Sequence, residues 1–120
     1  MAKRYALVVG AVLLLVGILG FIKGTDEFMG LHFNLAHNLI HTLSGIVGIA
    51  AGMSKNVGAA KMFAQVFGVV YTLVALAGFA GVPAFVTTTL DLNPLYNVIH
   101  LAVGLLGILA GFVPMKQATA

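Results

Sequence analysis

The chain has 120 residues, 61% of them hydrophobic and 8% charged, with a mean hydropathy of +1.10 and a net charge of +3 at neutral pH. This balance excludes an ordinary soluble domain and marks a membrane protein, with the lipid bilayer as its first partner. Six basic residues against three acidic ones are too few for a nucleic-acid surface, and the absence of cysteine removes disulfides, thiolate metal sites and thiol chemistry.

Four apolar stretches follow in order. The first, Tyr5 to Ile22, comes after MAKR as a secretory signal would. Its run exceeds the roughly 7 to 15 apolar residues of a signal, and no small-x-small cleavage site leads into a polar start, so a retained helix is expected. The link KGTDEFMGLHF leads to a second stretch from about Leu35 to Met53, SKNVGAAK to a third from about Met62 to Gly81, and VPAFVTTTLDL to a fourth from about Leu95 to Pro114. Each is near the roughly 20 residues that a helix needs to cross a hydrocarbon core of about 30 Å. Links this short join antiparallel neighbours in one compact domain covering residues 1–120. Residues 117–120 form a polar tail without a lipidation motif. Lys3, Arg4, Lys55, Lys61 and Lys116 lie at the two termini and the middle link, whereas Asp26, Glu27 and Asp91 share the other links with only Lys23. By the positive-inside rule both termini are expected in the cytoplasm.

The second and fourth stretches repeat one another. NLAHNLIHTLSGIVGIAAG at 34–52 and NPLYNVIHLAVGLLGILAG at 93–111 share N-x3-N-x2-H-x3-G-x2-G-x3-G at an offset of 59, and GAVLLLVGILGF at 10–21 matches GVVYTLVALAGF at 68–79 at an offset of 58. The expected fold is therefore an all-α membrane protein, a four-helix transmembrane bundle of two tandem helical hairpins, about 5–53 and about 62–114. Both hairpins enter the membrane in the same direction. This predicts a pseudo-two-fold axis along the membrane normal, rather than the inverted repeat of many alternating-access transporters.

Steps of four and three place Asn34, Asn38, His41, Gly45, Gly48 and Gly52 on one stripe of a helix, and Asn93, Asn97, His100, Gly104, Gly107 and Gly111 on another. The glycines predict close helix packing, with Gly10, Gly17, Gly20 and Gly24 in the first stretch and Gly68, Ala75 and Gly78 in the third as partners. Asn93 before Pro94 reads as a helix N-cap, and Asn34 stands in the same place.

His41 and His100 come roughly 10 Å deeper than these caps, at or inside the edge of the hydrocarbon. An unpartnered imidazole or amide there costs on the order of 2 to 7 kcal/mol, so each needs a partner. Asn38 and Asn97, three residues before their histidines, are placed to bond and orient them. Three readings follow. The histidines are packing glue; or they bind a cofactor, as axial ligands of a haem b or as ligands of a divalent metal; or they line a proton or ion path. Haem requires that the second and fourth helices lie diagonally, with their glycines receiving the first and third, because a macrocycle forces its two helices apart. The path reading lacks the acidic or basic partner that a relay would have within the helices.

His37, four residues before His41, has the i, i+4 spacing of a metal pair, which makes His37, His41 and His100 the candidate metal set. Its repeat counterpart is Tyr96. His32, Asp26, Glu27 and Asp91 lie in the links facing the other side and read as solvated loop. Phe28, Phe33, Phe63, Phe67, Tyr71 and Phe85 are expected to face lipid or the interface. Ser44, Ser54 and the threonines have no acid and base around them, so an enzyme is not expected.

NLIHTLSGIVG and NVIHLAVGLLG, in a chain of four spans, resemble a family of small bacterial four-helix integral membrane proteins known only as a domain of unknown function. The resemblance covers nearly the whole chain. It implies a four-helix fold and the bacterial inner membrane, and carries no activity or cofactor. The resulting expectation is a structural or accessory subunit in a homo-oligomer or a larger membrane complex, with the haem or metal protein as its rival.

Overall fold

A computed structural model describes residues 1–23, 27–28, 31–32, 35–84, 87 and 94–113. The elements are α1 (Ala2–Lys23), β1 (Glu27–Phe28), β2 (Leu31–His32), α2 (Leu35–Met53), α3 (Val57–Ala80) and α4 (Pro94–Phe112). The two-residue strands pair antiparallel, Glu27 with His32 and Phe28 with Leu31, in a link that showed no strand pattern. The expected caps Asn34 and Asn93, together with Gly24, Asp26, Phe33, Phe85, Asp91 and Lys116, lie outside the described residues.

Spans of 21, 19, 24 and 19 residues are long and apolar enough to cross a membrane. The shortest covers about 28 Å at about 1.5 Å per residue. The distribution of side chains identifies the solvent more firmly than length does. Leu15, Ile22, Leu43, Met62 and Leu73 are at least 60% exposed, while His37, Asn38, His41, Asn97 and His100 are at most 5% exposed. In water such a surface would be untenable; in lipid it is the stable one. The chain is a multi-pass helical membrane protein.

Two helix ends show why the boundaries fall where they do. The third helix begins at Val57, earlier than the apolar run from Met62, because the Asn56 side chain accepts from the Gly58 amide at 2.9 Å and caps it. It ends at Gly81, whose φ of 73° lets its amide turn back to the Ala77 carbonyl.

Within each hairpin the helices pack backbone to backbone. A Cβ placed on Gly10 of α1 would stand 2.7 Å from the Ile49 amide nitrogen and 2.9 Å from the Gly48 carbonyl carbon. On Gly68 of α3 it would stand 2.5 Å from the Ile108 nitrogen and 2.6 Å from the Gly107 carbonyl carbon. Gly45 meets Leu14 and Gly104 meets Thr72; Gly52 meets Leu7 and Gly111 meets Gln65. Each of these contacts in one hairpin has its counterpart in the other at the offsets of the sequence repeat. Gln65 adds a hydrogen bond from Nε2 to the Gly111 carbonyl at 2.8 Å.

Between hairpins the contact is looser, and its apolar part lies at one end. Ala2, Tyr5 and Ala6 of α1 pack there against Ala60, Phe63 and Ala64 of α3 and Ala110 of α4. Two aromatics cross over: Phe63 reaches Gly48 of α2, and Tyr5 reaches Gly107 of α4, donating its hydroxyl to the Val103 carbonyl at 2.8 Å. The backbones of α2 and α4 hardly approach one another. They therefore lie diagonally, with their glycines turned to α1 and α3.

Candidate functional site

The buried face of α2 consists of His37, Asn38, His41, Gly45, Gly48 and Gly52, so its described stripe is the repeated pattern with His37 added. That of α4 is Tyr96, Asn97, His100, Gly104, Gly107, Ala110 and Gly111. Because the glycine halves are taken up by α1 and α3, the polar halves of α2 and α4 are left to fill the space between the hairpins at the end away from the alanine contact.

They fill it with rings. His37 stacks on His41 at 4.9 Å between centroids and meets Tyr96 at 4.7 Å and His100 at 6.0 Å. Tyr96 stacks on His100 at 5.7 Å, and Tyr71 of α3 stacks on His100 at 5.3 Å. One ring nitrogen each of His37, His41 and His100 lies within 4.8 Å of the others. The three residues expected as a metal set are thus brought together from both hairpins, although their helices are diagonal.

The expected Asn–His pairing takes a different form. Asn97 is pressed against Gly78, and the Oδ1 atoms of Asn38 and Asn97 have no hydrogen-bond partner among the described residues. The same holds for Nδ1 of His41 and of His100 and for the Tyr71 hydroxyl. Groups this buried carry a cost unless something binds them.

Phe63 and Tyr71, expected at the lipid face, are instead buried at 4% and 6% exposure. The reason is their register. The buried residues of α3 run Ala60, Phe63, Ala64, Gly68, Tyr71 and Ala75, so both aromatics lie on the stripe of small residues that faces the other helices. Tyr71 is the site residue that the sequence reading missed, and its position three residues after Gly68 and four before Ala75 was the available signal.

Two clefts open beside the cluster. One, of about 220 Å³, runs between α2 and α3 past Ile40, Phe67, Val70 and Val74. The other, of about 280 Å³, runs between α1 and α4 past Val8, Val12, Val16, Ile99, Val103 and Leu106. Both end on His41, Tyr71 and His100.

A family profile described as a domain of unknown function, DUF4383, matches residues 3–113. The chain belongs to the DUF4383 family. No curated protein and no solved structure matches it. Within this DUF4383 chain the matched region takes in all four helices and every ring of the cluster.

Proposed function

We propose that this protein holds a late first-row divalent metal ion between its two hairpins, with His37, His41 and His100 as ligands. The observation that carries the reading is the convergence of three imidazole nitrogens, from two helices that otherwise barely touch, to within 4.8 Å of one another. Tetrahedral coordination at about 2.0–2.1 Å separates ligand nitrogens by about 3.3 Å, so the rings need close by no more than about 1.5 Å. Imidazole alone, with no thiolate in the chain and no carboxylate on the four described helices, suits zinc, copper, nickel or iron rather than calcium or magnesium.

Haem b fits less well. The diagonal placement of α2 and α4 gives it the helix spacing it needs, but the clefts beside His41 and His100, about 220 and about 280 Å³, lie below the roughly 300–1,000 Å³ of a ligand site and are small for a macrocycle. A second reading, favoured by the near-parallel stacking of His37 on His41 at 17°, is packing glue in a structural or accessory subunit of a homo-oligomer or larger membrane complex. Both readings place the chain in the bacterial inner membrane with its termini in the cytoplasm and its hairpins related by a pseudo-two-fold axis along the membrane normal.

Purified in mild detergent and dialysed against cobalt(II), the protein should take up one ion per chain with a visible absorption band, and His41→Ala or His100→Ala should abolish it. A Soret band on the protein as purified would replace the metal by haem. A colourless protein that binds no cobalt, zinc or copper would leave the packing role.

A further inference from the structure

We infer that the clefts admit the head of a bilayer-borne amphiphile, a neutral planar carbonyl compound of the quinone class with an apolar tail, which docks on Tyr71, His41 and His100. This inference does not rest on the metal.

The route is lateral. Val8, Val12 and Leu106, on the walls of the larger cleft, are 62%, 52% and 52% exposed, so its mouth lies on the surface that faces lipid. Ile40 and Val70 of the smaller cleft are 44% and 46% exposed and open it on the lipid-facing surface as well. A ligand reaching either mouth comes from the membrane, and walls of valine, isoleucine and leucine suit its tail.

The floor selects the head. The hydroxyl of Tyr71 and Nδ1 of His41 and of His100 are buried without a hydrogen-bond partner among the described residues. A phenol and neutral imidazoles can all donate, so acceptor oxygens satisfy them. An anionic head finds no cation: the lysines and the arginine lie outside both linings, and a carboxylate or phosphate would remain an unpaired charge in lipid. A planar ring is favoured over an aliphatic alcohol because the rings of Tyr71, Tyr96 and His100 form stacking walls. At about 280 Å³, just below the usual ~300–1,000 Å³ of a ligand site, the cleft has room for a single-ring head and leaves the tail in the bilayer.

The chain has no tryptophan and three tyrosines, two of them beside the clefts, so tyrosine fluorescence reports on the site directly. Titration of the full chain in mild detergent with a 1,4-benzoquinone carrying a decyl tail should quench it saturably, before and after treatment with a chelator. Decylbenzene and decanoate at the same concentrations should not compete. Tyr71→Phe, which keeps the ring and Tyr96 as reporter, should weaken binding about tenfold, the loss of one hydrogen bond. Val12→Phe, which narrows the mouth from the lipid side, should weaken it as well. Non-saturable quenching, equal competition by decylbenzene, or unchanged affinity in both variants would overturn the inference. Failure of metal binding alone leaves it standing, and failure of quinone binding alone leaves the metal reading standing.

Discussion

Gly10 and Gly68 stand where the backbones of paired helices approach closely, and the atoms they face are main-chain atoms that cannot swing aside. Gly10→Ala and Gly68→Ala should each destabilise the bundle by about 1–3 kcal/mol through overpacking, read as a fall in Tm in detergent. Met62→Ala, at a side chain 66% exposed to lipid, should stay within about 0.5 kcal/mol. The glycines were legible in the sequence because their spacing and repetition have one economical meaning in a membrane helix. The histidines were legible as candidates for the same reason. Tyr71 was less so: its place on the stripe of Gly68 and Ala75 was a signal, but an aromatic in an apolar helix suits lipid as well as a core.

At the scale of the helices, the strongest packing lies within each hairpin and a few long side chains join the two. Tyr5 is the clearest of these, since its hydroxyl reaches from α1 to the Val103 carbonyl of α4. Tyr5→Phe should cost about 1 kcal/mol, and the loss should vanish in a background where the hairpins are already separated, which a double-mutant cycle with Phe63→Ala measures. Phe63 occupies the repeat position of Tyr5 and lacks the hydroxyl, so Phe63→Leu should act through packing alone, as a loss of contact with Gly48 and the Tyr5 ring. The element boundaries were read to within a few residues from hydropathy. The early start of α3 was obscured because the capped turn Val57–Lys61 carries a lysine and reads as link. Helix pairing was implied by the short links, but the diagonal placement of α2 and α4 follows from three-dimensional packing that spacing alone leaves open.

For the whole molecule, a chain without cysteine lends itself to topology mapping. Ser54→Cys, in the link between α2 and α3, should be labelled by a membrane-impermeant maleimide only after the cytoplasmic face is opened. Thr87→Cys, in the link between α3 and α4, should be labelled from the opposite face without that step. The reverse pattern would invert the proposed orientation and leave the fold untouched.

The cluster also has a place in time. His37 and His41 arrive with the second helix, Tyr71 with the third, and Tyr96 and His100 with the fourth. During synthesis the first hairpin therefore enters the bilayer before the rings of α3 and α4 that complete the cluster, and only insertion of the last span closes the set. A chain stalled before α4 would contain three sound membrane helices and no site, so occupancy of the site would distinguish finished molecules from unfinished ones.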